Sequence, residues 1–439
     1  MKYANLIWQN TELSSSIAQV NIGDTMQFIS IDELYRYMGI DLGEIVNLSL
    51  KELKEYRGEK LVLPFNWNLF DVNYMNDNEI AISPDIIPVY IAVTDSSERC
   101  KKEYFNEKNV NYLKAHEPIG CRDKKTYNRL VELGVKAFVN GCMTITIPQR
   151  HSKIRKYYYF VDAPAELIKY VPKEYLTNSV CGSQQFYWDK KVNPYEIKEA
   201  VIEKYDEYFN NAKLVITSRL HVASPCIAAG IPVIFAKEQI DERLDWLSKY
   251  IPLYDRSQFD NIDWHPNALN IEDIKRVILE NAKSMVVQAC GNSGEVINYN
   301  KVHSIYEHVK VLDDCSYLST VKNHFDSIFE QIKKNYKPYY SVWGANNACE
   351  NLIRCISSEY PDMKLRKVID KYKKGMLIGN DIISPEEYKY CNEEYLFVIP
   401  VGAYYDSRVI KEKQGIPDDS FVYCAQRYIT EDLIMKNRD

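Results

Sequence analysis

Ser218-Arg219-Leu220-His221 holds the side chains best suited to chemistry. A guanidinium offers a planar fork to a carboxylate or phosphate, and an imidazole carries a proton near neutral pH. The tetrapeptide follows the apolar run Ala212–Thr217 and precedes a second run, Ala228–Phe235. The first run reads as a buried strand. The second reads as a helix end, a turn at Gly230 and another strand. Arg219 and His221 therefore fall just past the carboxyl end of a strand, where open α/β sheets bind ligands. The expected substrate is small, strongly anionic and in need of a proton.

The elements around them alternate. Asn21-Ile22-Gly23-Asp24 reads as a turn, with Asp24 as the cap of a helix that runs to Met38. Strands are expected at Lys60–Phe65 and Ile87–Val93. A helix is expected over Lys124–Leu133, stopped by Gly134, followed by strands at Lys136–Val139 and Met143–Ile147. Gln149–Lys156 is polar and basic and reads as a linker. Tyr157–Val161 restarts the pattern as a strand. Helices at Tyr195–Phe209 and after His221, and a long amphipathic stretch over Asn270–Gln288, continue it. The fold class this implies is α/β. It divides into a lobe over 1–150, a second over 151–310, a helical connection over 311–338 and a third α/β module over 339–439. A cleft between two lobes is a usual substrate site.

Composition narrows the partners. The chain has 439 residues with a net charge of −6, which argues against a general nucleic-acid binder. Eleven cysteines are scattered with no C-x-x-C pair, so neither a zinc site nor a dithiol motif is expected. No metal is expected at the site. The start Met1-Lys2-Tyr3-Ala4-Asn5 leads into no long apolar run and reads as lacking a secretory signal. No stretch approaches the ~20 apolar residues of a membrane span. The expected location is the cytoplasm, with attachment to the inner face of a membrane left open. The 35 tyrosines fit both core packing and sugar-binding surfaces.

Four segments in order resemble the polysaccharide pyruvyl transferase family. They are Val20–Gln27, Glu117–Asp123, Asn140–Thr146, and Thr217–His221 extended through Pro225-Cys226 to Gly230–Phe235. Asn66-Trp67 stands where an Asn-Gly-Trp element would be, without its glycine. The resemblance covers about residues 15–250. It implies two Rossmann-like lobes resembling the GT-B glycosyltransferase fold, here with a carboxyl-terminal Rossmann-like module added. It implies transfer of the pyruvyl unit of phosphoenolpyruvate, as co-substrate, onto a sugar of a cell-surface or capsular polysaccharide or its lipid-linked precursor. The product would be a pyruvate ketal, formed without a further cofactor. By resemblance, Arg122, Arg219, Ser218, Leu220 and His221 meet the donor. Arg122, Arg219 and His221 are the expected catalytic set, with His221 as the acid that protonates the donor's methylene carbon. Asn21, Gly23, Asp24, Asn66 and Trp67 are placed on the acceptor side.

Blander readings stand beside these. Arg122 and Asp123 could form an ion pair at a helix start. Cys142 reads as packing rather than nucleophile, and no role follows for His116 and Glu117. In the third module, Gly344-x-Asn346-x-x-Cys349 and Asp370 sit where a nucleotide phosphate loop and its acidic ribose contact would be. Only the first glycine of that fingerprint is present, so a scaffold or docking role is favoured. Two rival functions remain at this stage. One is a nucleotide-sugar glycosyltransferase using Arg219 and Arg122 on a diphosphate; the other is a non-catalytic glycan- or partner-binding protein.

Overall fold

The computed structural model describes residues 1–8, 18–95, 102–188, 192–291, 325–399, 403–423 and 428–438. They divide into two compact units, 1–312 with 431–439, and 313–430.

The first unit opens with β1 (Lys2–Leu6), β2 (Ala18–Asn21) and α1 (Ile22–Tyr37). β3 (Val46–Leu48), α2 (Glu52–Glu55), β4 (Leu61–Phe65), the hairpin β5 (Met75–Asn76) and β6 (Glu79–Ile80), and β7 (Ile86–Tyr90) follow. A parallel sheet forms in the order β3-β1-β4-β7. All of β4 is buried, as expected of a parallel strand covered on both faces. α3 (Glu107–Ala115), β8 (Ile119–Cys121), α4 (Lys124–Glu132) and β9 (Ala137–Val139) complete this lobe. β8 and β9 pair in parallel, and Val93 bridges to Cys121 beside them.

The second lobe holds β10 (Tyr157–Val161), α5 (Lys173–Thr177), β11 (Ser179–Gly182), β12 (Gln185–Trp188) and α6 (Pro194–Asn211). β13 (Ala212–Thr217), α7 (Leu220–Ala228), β14 (Val233–Ala236), β15 (Leu253–Tyr254) and α8 (Glu272–Ala289) follow. Its parallel sheet runs β11-β10-β13-β14-β15. Strand order therefore reverses between β10 and β13, and the crevice at their carboxyl ends is the topological switch point. β12 leaves this sheet and pairs antiparallel with β2, Gln185 opposite Asn21. That two-stranded tie joins the lobes beside the start of α1.

Three expectations are corrected here. Met143–Ile147 is not a strand: Met143–Thr146 is a fully buried 3-10 turn, and so short a buried run has no readable period. The cap of α1 is Asn21, whose side chain accepts from the Gly23 N–H, so Asp24 lies inside the first turn. The last helix, Glu431–Arg438, belongs to the first unit rather than to the carboxyl-terminal module. Its Arg438 guanidinium donates to the Leu176 carbonyl at 2.9 and 3.1 Å.

The second unit is a separate α/β module. β16 (Tyr339–Trp343), β17 (Lys364–Ile369), β18 (Met376–Leu377), β19 (Asn380–Ile383), β20 (Glu394–Val398) and β21 (Phe421–Tyr423) form one sheet in the order β18-β19-β17-β16-β20-β21. Only β18 is antiparallel to its neighbour. Helix Asn347–Glu359 packs Leu352 and Ile356 against Val342 and Phe397. Buried Glu394 accepts from Tyr388 Oη, Ser341 Oγ, Arg366 and the Cys391 N–H, which satisfies a charge that would otherwise be costly to bury. Asp370 accepts from the N–H groups of Ala345, Tyr372 and Lys373, and Asn346 caps the helix through the Cys349 N–H. The residues weighed as a nucleotide loop are thus engaged in the module's own turns. Of the helical connection expected over 311–338, Asp326–Lys334 is a helix and 311–324 lie outside the described residues.

Candidate functional site

The switch point of the second lobe is lined by Asp162 at the end of β10 and by Ser218, Arg219 and His221 after β13. Asp162 adopts a left-handed backbone, φ 48°. Its Oδ2 accepts from Arg219 Nε at 2.7 Å and from the Gln184 N–H at 3.0 Å. Its carbonyl accepts from Ser218 Oγ at 2.6 Å. One carboxylate thus fixes the guanidinium, the loop after β11 and, through its backbone, the serine. The Arg219 side chain keeps 29% of its surface exposed.

Arg219 is also the N-cap of α7 and supplies no side-chain cap. Helical bonding starts with Val222 and Ala223 donating to the Arg219 carbonyl. The Leu220 and His221 N–H groups precede them, at the positive end of the helix, where anions are favoured. The start of α1 faces this end but is already occupied. Gly23 N–H donates to Asn21 Oδ1 at 3.1 Å, and Ile22 N–H donates to the Gln184 carbonyl at 2.9 Å. The approach is tight: a Cβ on Gly23 would lie 2.9 Å from both His221 Cβ and Gln184 Oε1.

His221 is partly exposed, but its Nε2 is shut off from solvent and has no hydrogen-bond partner among the described residues. Burial first, then the charges of Arg122 and Arg243, hold its imidazole well below the ordinary range. It is therefore neutral at pH 7 in the free protein. Its backbone is fixed by α6: Tyr205 Oη donates to the His221 carbonyl and accepts from Gln184 Nε2 at 3.0 Å.

Arg122 reaches this point from the first lobe. It follows β8, is 6% exposed, and donates through Nη2 to Gln27 Oε1 on α1. Its buried Nε has no hydrogen-bond partner among the described residues. Asp123 is the N-cap of α4, accepting from the Thr126 N–H at 2.8 Å, and it also accepts from Thr94 Oγ1 at 2.6 Å. Its carboxylate is engaged as a cap while Arg122 turns to Gln27.

Sequence reasoning missed two further cations. Lys237 and Arg243 follow β14 and share Asp241: Lys237 Nζ at 2.5 Å, Arg243 Nε at 3.0 Å and Nη2 at 3.1 Å. The charges of Arg243 and Arg219, with burial as the larger cause, lower the Lys237 ammonium. Arg122, Arg219, Arg243 and Lys237 thus act on a common region, and Asp162 and Asp241 offset only part of their charge. The residue types carried the signal, but only the strand order brings them together. Asp162 and Gln184 were missed for the same reason.

The acceptor-side residues separate into two groups. Asn21, Gly23 and Asp24 lie at the α1 start against His221. Asn66 and Trp67 do not join them. Asn66 is 1% exposed and donates to the Gln27 carbonyl and Ser30 Oγ. Trp67 is 6% exposed, packs with Trp8 and Phe28, and donates to Asp71 Oδ2 at 3.2 Å. Both are built into the interior of the first lobe. The Asn140–Thr146 segment is a packing joint, in which Thr144 Oγ1 donates to Ser224 Oγ on α7 and Cys142 Sγ to Asn66 Oδ1. His116 rests on the Tyr112 carbonyl and ring, and Glu117 accepts from the Lys136 N–H.

Two surface clefts are formed by described residues, and neither is lined by Arg219 or His221. One lies between α1 and α8 at Arg36, Tyr37 and Lys275, and the other beside α4 at Lys124, Arg129 and Asp245.

Fold and site together define an α/β protein with a cationic, helix-capped site at a topological switch point and a histidine at its centre. The family model of polysaccharide pyruvyl transferases matches residues 98–236. That span contains Arg122 and the whole Ser218–His221 motif, and it bears out the resemblance read from the sequence over three of its four segments. The match supports a transferase acting in polysaccharide pyruvylation. No curated protein matches the chain. No described helix is long and apolar enough to cross a membrane.

Proposed function

We propose that this chain transfers the pyruvyl unit of phosphoenolpyruvate to a sugar of a cell-surface polysaccharide or its lipid-linked precursor, closing a cyclic ketal. The observation that carries this reading is that the charges of Arg122 and Arg243 act on His221, whose Nε2 has no hydrogen-bond partner among the described residues, at the start of α7 where Arg219 is the N-cap. The donor carries a carboxylate and a phosphate, and guanidinium groups hold such anions by charge-assisted bonds. Arg219 and Arg122 take the two anionic groups, and the Leu220 and His221 N–H groups take an oxygen of one of them.

His221 is the acid. A neutral imidazole cannot act as one, and the electrostatics supply the remedy. A trianionic donor offsets the guanidinium charges that disfavour the imidazolium, so donor and proton enter together. The imidazolium then protonates the methylene carbon C3, a step typically worth ~10²–10⁴-fold in rate. C2 becomes electrophilic, one sugar hydroxyl adds, phosphate departs, and a second hydroxyl closes the ring. Of the two hydroxyl protons, one restores the imidazolium and one leaves with phosphate. Arg219 and Arg122 stabilise the charge gathered on the leaving group. No further cofactor enters this balance.

The test is thermal stabilisation and phosphate release with a panel of hexosides and hexosaminides. Stabilisation by phosphoenolpyruvate, with acceptor-dependent phosphate release, supports the reading. Stabilisation by a nucleotide sugar and not by phosphoenolpyruvate overturns it.

A further inference from the structure

The second unit carries a short hairpin whose sequence and geometry conflict. β18 and β19 pair Met376 with Asp381 and Leu377 with Asn380, leaving Ile378-Gly379 as a two-residue turn. Both turn residues have positive φ, 48° at Ile378 and 72° at Gly379. This is the type I′ arrangement, which ordinarily takes Asn or Gly at its first position. A β-branched residue there is an outlier and costs backbone strain. Ile378 nevertheless sits there with 40% of its surface exposed, beside Met376 at 65% and Tyr372 at 54%. Burial in the module's own core therefore does not account for these side chains.

The hairpin is held in place from within. Asp370 Oδ1 accepts from the Tyr372 and Lys373 N–H groups at 2.9 Å. The Gly375 carbonyl accepts from Ile382 N–H, and Asn380 Nδ2 donates to the Ile378 carbonyl, both at 2.8 Å. β18 is the edge of the sheet. Residues 371–380, KYKKGMLIGN, hold three lysines and no acid in a chain of net charge −6, with Asp370 and Asp381 flanking them. Lys371 pairs with Asp406 and feels Glu386. Lys373 donates to the Ala345 carbonyl. Lys374 is exposed and makes no ion pair among the described residues. Asp381, opposite Met376, is the acid nearest in the hairpin register.

We propose that the hairpin over residues 371–380 docks on an anionic membrane surface. Met376 and Ile378 enter the headgroup–acyl boundary, Tyr372 rests at the interface, and the lysines meet anionic headgroups. Apolar tip residues beside lysines suit that boundary, where one part of a surface is apolar and the next is charged. This reading stands independently of the chemistry proposed for the first unit.

The test is co-sedimentation of the full chain with phosphatidylcholine vesicles and with vesicles in which about a third of the lipid is phosphatidylglycerol. The wild-type chain is expected to sediment with the anionic vesicles, less with the neutral ones, and less again as salt is raised. Lys374→Glu reverses one charge and should lower partitioning by roughly 25-fold, from about fivefold per unit charge. Ile378→Asn should lower it about tenfold, as for loss of a partly inserted Ile. Because Asn accepts a positive φ more readily than Ile, that variant keeps or gains thermal stability, so lost binding cannot be laid to unfolding. Absence of wild-type binding to anionic vesicles, equal binding to both vesicle types, or binding unchanged in both variants overturns the proposal.

Discussion

Replacing Asp245 with Asn should stabilise the protein above neutral pH and do progressively less as pH falls. Asp245 lies in the second lobe and ties it to the start of α4 in the first. Its Oδ2 accepts from the Lys124 N–H at 2.8 Å, and Lys125 meets Glu242 at 2.9 Å alongside. The residue is 4% exposed and its Oδ1 has no hydrogen-bond partner among the described residues. Burial, followed by the neighbouring Asp123 charge, raises its carboxyl to about 7. An unfolded Asp ionises near ~3.9. Between these values the folded state holds a proton that the unfolded state has lost, so stability declines as pH rises, and the loss levels off above about 7. Three units at ~1.4 kcal/mol each give an upper bound of about 4 kcal/mol. The part developed between pH 5 and pH 8 is roughly 2–3 kcal/mol. At about 2 °C per kcal/mol for a unit of this size, the Tm advantage of Asp245→Asn should grow by roughly 4–6 °C across that interval. Scanning calorimetry of both proteins at closely spaced pH values measures it. A Tm difference that is flat with pH, or that favours the wild type more as pH rises, would mean the carboxylate is already ionised at the α4 start, and the reasoning would fail.

Other outcomes follow from the same contacts. Gly23→Ala places a methyl 2.9 Å from His221 Cβ and from Gln184 Oε1, which is itself pinned through Tyr205; it should cost about 1–3 kcal/mol of stability and, by displacing the imidazole about 1 Å, about 10²-fold in phosphate release. His221 is held below its ordinary value in the folded state, so the unfolded chain takes up its proton first; stability should fall as pH drops through about 6.5 and below, and His221→Gln should remove that part of the slope in a Tm–pH series. If donor and proton enter together, calorimetric titration of phosphoenolpyruvate in buffers of different ionisation heat should register proton uptake near pH 7 in the wild type and less of it in His221→Gln.

The alternating architecture was legible because its strands are apolar, short and set off by turn residues. Leu214–Thr217 and Tyr157–Val161 read directly as strands, and placing Arg219 and His221 at a strand end needed nothing more. Where burial is complete, the sequence loses its period. α1 is buried along most of its length, so nothing marks its first turn, and Asp24 competed with Asn21, an equally good cap three residues earlier. Met143–Thr146 failed for the same reason. Asn66 and Trp67 have the polar and aromatic character of a sugar site, yet they meet interior partners that no local pattern reveals. Asp162, Gln184 and Arg243 come from three other strand ends. Their association with residue 221 is a property of the order β11-β10-β13-β14, which the order along the chain does not display.

The most direct measurement separates donor capture from proton delivery. Equilibrium dialysis of phosphoenolpyruvate, paired with acceptor-dependent phosphate release, should be run on the wild type, Arg219→Ala, Arg122→Ala and His221→Asn. Weakened binding is expected in both arginine variants. In His221→Asn, binding should persist with phosphate release reduced by at least ~10². Full phosphate release by His221→Asn, or undiminished donor binding in both arginine variants, would contradict a donor site built around these three side chains.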